Sequence, residues 1–385
     1  MFSKILITAK SVLISALKDA SRRVPFLNNI FVAERLVGSI PEVILNEHIS
    51  RHVVDIDVIR PTCIEYYSYM KKMPLAFRAE MCFPRRYIYR LKDVTVNTSL
   101  GACCSDRYGF LESFGSLRSW ILSRPLLIGK SSRRLAIDGP VTCINSTGFA
   151  HFLMEELPRL LWALKHYPSL HLLTPPTIPR YIAAIYQKLR SIGLLNYDPV
   201  PSAFTTVDVA DFVFTQAEAS SGFWHSADIK LLRDVFLPNT NRKVSCRIYI
   251  SRKLSNRSFN NEKDLEENLC QLGFKILSLE QMDFNEQINA FANSDIVVAP
   301  HGAGLANLVW CGPGTKVIEI FSAKVFNDCF ARLSSQLSCK HFCCWSQETG
   351  GFGDVNIAEV IDLIAFGDDA DSSNHQVNIA TDLLP

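Results

Sequence analysis

Four groups of residues in this 385-residue chain have side chains suited to moving protons or holding anions. The first is His301, Gly302, Ala303 and Gly304, set between the apolar runs DIVVAP and LANLVWC. Glycines without a Cβ let a ligand approach the backbone. A helix beginning near Gly304 would offer its N–H groups and positive dipole end to phosphate. His301 adds a donor, or a positive charge against a diphosphate. A tight strand-to-helix turn with a satisfied histidine is the plainer use of the same residues; the flanking elements favour the anion site. The second is Glu319, a carboxylate inside VIEIF that needs partners. Ribose hydroxyls at a strand end would serve, and so would a lysine or a backbone amide. The third is Arg252, ending the run ISR, with Arg257 on the loop behind it. Two guanidinium groups there would neutralise a diphosphate, although most single arginines are solvated surface groups. The fourth is His151, Glu155 and Arg159, each four residues apart, which puts an imidazole, a carboxylate and a guanidinium on one helix face. Pro158 interrupts that face by kinking or restarting the helix, which would turn Arg159 away, and a surface salt-bridge row is the plainer reading. Glu286 is left out, because Asp283 and Glu286 ahead of INAFA match a capping box.

These groups need elements to hold them. Strand RIYISR, helix NNEKDLEENLCQL stopped by Gly273, strand FKILSL, helix FNEQINAFANS, strand DIVVAP, the short helix GLANLVWC and strand KVIEIF alternate regularly. Strands apolar on both faces and separated by helices describe a parallel sheet covered on both sides, a doubly wound Rossmann-like domain. In such a sheet ligands bind beyond the carboxyl ends of the strands, where the histidine-glycine loop and Arg252 begin. Upstream, GFAHFLMEELPRLLWALKHYP reads as a helix with Phe152, Leu153, Leu157, Leu160, Leu161 and Leu164 as its buried stripe. PLLIG, LAID and ADFVFTQ read as strands around it. The polar stretch PNTNRKV, residues 238–244, is the expected hinge. The division is therefore an N-terminal α/β domain (1–239), a C-terminal Rossmann-like domain (240–366) and a loose polar tail (367–385). Residues 1–110 carry little pattern.

With 48% hydrophobic and 20% charged residues, the chain has room for two globular domains. A net charge of +2 gives no general attraction for nucleic acid, so no nucleic-acid partner is expected and any anion site must be local. Twelve cysteines without a CxxC pair read as reduced, buried thiols. Cys339, His341, Cys343 and Cys344 have metal-ligand chemistry, but adjacent cysteines in a strand point to opposite faces, so no metal is expected there. Residues 1–20 carry apolar side chains at helical spacing, broken by Lys4, Lys10 and Lys18. They fit a helix docked on the core or lying on a membrane surface, not a span or a cleavable signal. A cytoplasmic protein, peripheral at the inner face of a membrane, is the expectation ahead of a secretory lumen, and the sequons at Asn97, Asn145 and Asn256 would count only on a secretory route.

HFLMEELPRLLW in the first half, with RIYISRK, RSFNNEKDL and the block from GFKILSL to VIEIF in the second, resembles the family 61 glycosyltransferases over roughly residues 140–325. The resemblance implies a GT-B-like α/β fold, two Rossmann-like domains with parallel sheets facing a cleft. It implies inverting transfer from a nucleotide sugar, a UDP-sugar first among the candidates, to a glycan or lipid-linked glycan acceptor, as in surface polysaccharide or capsule synthesis. Carried onto this chain, Glu155 is the expected general base with His151 beside it, and Arg159 and His225 lie on the acceptor side, His225 without an assigned role. Arg252, Arg257, His301, Gly302, Ala303 and Gly304 would hold the diphosphate, with Asn307 and Glu319 close to the nucleoside. Gly148, Phe149 and Ala150 depart from the family, many members of which carry an aromatic step before the helix histidine. No Asp-x-Asp motif suits a metal, so no cofactor beyond the donor is expected and fixed cations would stabilise the leaving group. An NAD-type oxidoreductase and an idle nucleotide- or glycan-binding module are the competing readings. Asn307 in place of a third glycine, and a loop after the third strand rather than the first, count against the oxidoreductase.

Overall fold

The computed structural model describes residues 86–98, 134–143 and 148–366, apart from breaks at 203–205, 217–221, 223, 238–244, 256, 323–326 and 348, together with strand segments at 36–37, 49–54, 102–104 and 109–110. The N-terminal helix, the PLLIG strand, the hinge and the polar tail of the sequence reading lie outside the described residues.

The first sheet is built from β1 (Leu36–Val37), β2 (Ile49–Val54), β3 (Arg86–Asn97), β4 (Ala102–Cys104), β5 (Gly109–Phe110), β6 (Val141–Cys143), β7 (His171–Thr174), β8 (Val200–Pro201) and β9 (Thr206–Thr215). Its order is β1-β5-β4-β3-β9-β6-β7-β8, with β2 also on β3. Only β9-β6-β7-β8 and the short β1–β5 pair run parallel; β2, β4 and β9 are antiparallel to β3. The expected Rossmann-like parallel sheet in this half is thus corrected to a mixed one. Its centre, β3, comes from the stretch whose sequence showed no pattern, because Arg90 and Lys92 interrupt the apolar run. Asp211 on β9 pairs with both, at 2.6 and 2.7 Å, which lets the charges stand in a strand. LAID forms no strand: only Arg134 makes a bridge, to Asp208.

Against this sheet lies the expected helix, in three parts: α1 (Phe149–His151), a π-turn (Phe152–Glu156) and α2 (Leu157–His166). Pro158, at the first turn of α2, has no N–H to give to the preceding turn. The wider π-turn takes up the mismatch, with the Leu157 N–H bonding back to Phe152, and the helix restarts without breaking. Next come α3 (Arg180–Ser191) and α4 (Ser226–Phe236).

The second sheet contains β10 (Cys246–Ile250), β11 (Phe274–Leu277), β12 (Ser294–Pro300), β13 (Lys316–Phe321) and β14 (Lys340–Trp345), all parallel, in the order β11-β10-β12-β13-β14. Between and after them come α5 (Glu262–Gln271), α6 (Phe284–Ala292), a 3₁₀ turn (Ala303–Trp310), α7 (Cys329–Gln336) and α8 (Ile357–Ala365). The expected strands and helices form, the short helix after the histidine-glycine run as a 3₁₀ turn, and β14, α7 and α8 extend the sheet by one strand. Alternate side chains cover both faces. Ile248, Val297 and Val317 meet α6 and the 3₁₀ turn on one side, while Tyr249, Val298, Ile318 and Ile320 meet α5 and α8 on the other. Gly273, at a φ of 79°, supplies the left-handed residue that ends α5. The strand order reverses between β10 and β12, so the topological switch point lies there.

One apolar cluster runs from Phe152 and Leu160 in the first half to Val297 and Val317 in the second. Its hub is Trp310, 1% exposed, edge-on to Phe236 at 5.9 Å and to Phe284 at 6.0 Å. Burying such a ring contributes roughly 3 kcal/mol, so this contact fixes the two halves against each other. No described helix is long and apolar enough to cross a membrane, and the nine described cysteines are all free, seven of them buried.

Candidate functional site

The loops at the switch point bring Arg252 to the histidine-glycine run. The Arg252 guanidinium donates from Nη2 to the His301 carbonyl, and a Cβ at Gly302 would stand 1.5 Å from that nitrogen. Gly302 is therefore needed for the close approach of an arginine, where the sequence reading had a ligand against bare backbone. At Gly304 a Cβ would meet Leu279 at 2.9 Å, so this glycine seats the loop on the core, and Ala303 opens the 3₁₀ turn between them. Glu262 holds the arginine loop from below: Oε1 accepts from Tyr249 Oη and from the Arg252 N–H, both at 2.8 Å, and Oε2 accepts from the Phe259 N–H at 3.2 Å. Burial, and then the neighbouring Arg257, push the Arg252 guanidinium below its ordinary value. Arg257 itself is exposed. Two cations held this close favour an anion between them.

Behind His301 stands Glu319, which is 0% exposed. Parallel register puts Ala299, Glu319 and Cys343 side by side on β12, β13 and β14, and the His301 N–H bonds to the Ile320 carbonyl at 2.8 Å. His301 Nδ1 lies 2.6 Å from Glu319 Oε1, and His341 Nε2 lies 3.0 Å from Oε2. Burial raises the Glu319 carboxyl, but the hydrogen bonds from His301 and His341 outweigh it and hold the group below its ordinary value. As a carboxylate it can only accept, so both imidazoles donate to it. His341 Nδ1 then accepts from the Ser334 hydroxyl at 2.8 Å. Glu319, His341 and Cys343 have ligand-type atoms within 4.8 Å of one another. Two of the three already bond to each other, and Cys344 packs in the core on the opposite face of the sheet. The His301 ring lies between Phe321, stacked at 4.9 Å, and Phe330 at 5.6 Å. Asn307 faces the interior: it donates to Gln287 at 2.9 Å and accepts from Trp310 Nε1 at 3.1 Å. Glu319 and Asn307, expected close to a nucleoside, are both 0% exposed, with their polar atoms engaged inside the fold. Glu319 is placed behind the histidine, and Asn307 ties down the 3₁₀ turn.

The first half contributes a second imidazole–carboxylate pair. His151 Nδ1 lies 3.1 Å from Glu155 Oε2; the imidazole is half-exposed and the carboxylate buried. The hydrogen bond to Glu155 raises the His151 pKa, against the opposing effect of burial. Glu155 Oε1 accepts from the Gly222 N–H at 3.3 Å, and the Gly222 carbonyl accepts from Arg332 on α7 at 3.4 Å. Gly222 has a φ of 81°, and a Cβ there would meet the Cys329 side chain at 3.0 Å. Since α1 also packs on the 3₁₀ turn, the pair sits at the junction of the two halves. Arg159 leaves the face it was expected to share, as the break at Pro158 implied. It is 4% exposed, pairs with Glu156 at 2.7 Å and donates to the Thr215 carbonyl at 2.8 Å. That arrangement fastens the helix to β9. His225, 1% exposed, caps α4 through Nδ1, which accepts from the Ala227 N–H at 3.2 Å. The Asp283–Glu286 capping box forms as expected.

Gly222, Glu262 and the pairing role of His341 were missing from the sequence reading. The glycine of the run GFWH and the tyrosine–glutamate pair across β10 and α5 were the only signals, and neither shows its partner along the chain.

Residues 149–318 match the Glycosyltransferase 61 family model, a segment that includes His151, Glu155, Arg252 and His301 and ends one residue before Glu319. The chain is also 38% identical over 60 residues to a beta-1,2-xylosyltransferase of Oryza sativa subsp. japonica, which is 16% of this chain and 11% of that protein. The chain thus matches about a tenth of the length of this curated relative.

Proposed function

Starting from a chain that carries the family 61 glycosyltransferase segment, we propose that it is an inverting transferase that moves a sugar from a nucleoside diphosphate to a glycan acceptor. A UDP-sugar is the donor assigned, and surface glycan synthesis the setting. The observation that carries this reading is the His151–Glu155 pair at the junction with the half that holds Arg252 and His301.

In this reading the base is His151, with Glu155 as its positioning carboxylate, rather than Glu155 itself. Both Glu155 oxygens are engaged, one by His151 and one by Gly222, and the group is buried, whereas the imidazole is half-exposed. With Nδ1 turned to Glu155, Nε2 takes the acceptor hydroxyl proton. The acceptor oxygen attacks the anomeric carbon from the face opposite the diphosphate. The bond from that carbon to the phosphate oxygen breaks, and its electron pair leaves with the diphosphate. Arg252, Arg257 and His301 stabilise the charge that develops there, as fixed cations and donors do best where water is excluded. In this scheme the diphosphate needs no divalent metal.

The test is a thermal-shift panel of UDP, GDP, CMP and NAD, because a ligand that binds only the folded state raises its melting temperature. Stabilisation by UDP that is lost in His301→Ala is the expected result. Stabilisation by NAD alone would overturn the reading in favour of a dinucleotide enzyme.

A further inference from the structure

The hydrogen-bonded row Ser334, His341, Glu319, His301 runs from α7 through β14 and β13 to the switch-point loop. Every member behind His301 is buried, and the row ends on an imidazole that is 17% exposed as a side chain. A structural carboxylate would more simply meet a lysine or arginine; this one meets two imidazoles. An anion with no formal counter-charge is costly in a protein interior, and the nearest relief is a proton on one of the two rings. Both His341 nitrogens are engaged, by Glu319 and by the Ser334 hydroxyl, so a proton that enters this row with an anion goes to His301. Other titratable groups around this ring are Arg252 on the β10 loop and Asp328, Cys329 and Arg332 on α7. Asp328 and Arg332 pair with each other at 2.6 Å, and burial pushes the Cys329 thiol up, so it stays neutral.

We propose that Glu319, backed by His341 and Ser334, is a positioning residue that holds His301 Nδ1-protonated with Nε2 directed to the donor diphosphate, so that diphosphate binding takes up one solvent proton at Nε2. The proposal rests on the nucleotide-sugar reading above. Release of the product diphosphate would return the proton, which makes the switch-point histidine a charge that appears with the ligand.

Calorimetry with UDP as the probe, between pH 6 and 8.5 and in two buffers of different ionisation enthalpy, tests it on the whole chain. For the wild type the expected result is net proton uptake, with affinity falling as pH rises through the imidazole range, by about tenfold per unit at the upper end. Glu319→Gln should weaken UDP about tenfold and flatten that profile, since a neutral amide no longer favours a charged ring. Ser334→Ala, two bonds further back, should do the same to a smaller extent and serves if the Gln variant does not fold. Nitrogen-15 imidazole spectra of the ligand-free wild type, assigned with His301→Gln, should show His301 carrying its proton on Nδ1. A neutral Nε2–H tautomer would overturn the proposal, as would a pH-independent UDP affinity or stoichiometric zinc on the purified chain. If UDP does not bind at all, the donor reading fails, and the tautomer alone decides the relay.

Discussion

Two imidazole–carboxylate pairs face the junction of the halves, and they differ in what stands behind the carboxylate. In His151–Glu155 the second oxygen meets a backbone N–H from Gly222, so the pair is short and its ring half-exposed. In His301–Glu319 the second oxygen meets another histidine, itself tied to a serine on α7, and every group behind the His301 ring is buried. A half-exposed ring backed by one carboxylate suits a base that must meet a new substrate and lose its proton each cycle. A ring clamped between Phe321 and Phe330 suits a group that keeps its place while an anion comes and goes. In the proposed transfer, similar chemistry would serve two ends because the surroundings differ.

The sharpest way to break the comparison is to remove each ring in turn. His151→Ala should lower kcat by about 10³-fold, within the usual range for a general base, while UDP affinity stays unchanged. Single-turnover kinetics beside UDP titration would separate the two effects, and a loss confined to binding would reverse the roles. Next in size, Glu155→Gln should lower kcat by about 10²-fold and also move the pH profile. His151 acts in its neutral form, and Glu155 raises its pKa above the ordinary imidazole value, so the rate should rise with pH through that raised value. Without the carboxylate charge the acidic limb should move to lower pH; an unmoved limb would mean that Glu155 does not act through His151. Smallest is Gly302→Ala, where the new methyl must displace the Arg252 guanidinium. UDP affinity should fall by about fivefold, roughly the worth of one weakened charge-assisted hydrogen bond, with kcat little changed. Equal affinity would show that Arg252 lies away from the donor.

Glu319 also ties the fold to acid. The Glu319 pKa is depressed in the folded chain, so its stabilising contribution is present above the unfolded value and lost as pH falls through the folded one. Glu319→Gln should flatten the melting temperature against pH in that acidic range, measured by thermal denaturation.

Local pattern went far in the second half. The strands from β10 to β13, the helices between them, the Asp283–Glu286 cap and the position of His301 at a strand end all follow from periodicity and turn residues, which act over a few neighbours. The first half read less clearly. In β3 the apolar pattern is interrupted by charges that β9 neutralises, and the face shared by His151, Glu155 and Arg159 holds only as far as Pro158, with nothing in the spacing to say where Arg159 goes instead. Pro158 and the π-turn rotate Arg159 onto Glu156, a neighbour that spacing alone did not select.

By itself the sequence determined most elements of the second half and which residue types stand at their ends, because these depend on residue type and short-range spacing. Only the tertiary structure decided who meets whom. Glu319 is 18 residues from His301 and 22 from His341, and Glu155 is 67 from Gly222. Such partners are chosen by strand order and by the packing of the two halves, which bring distant carboxylates and imidazoles into a common interior where each must find a hydrogen bond.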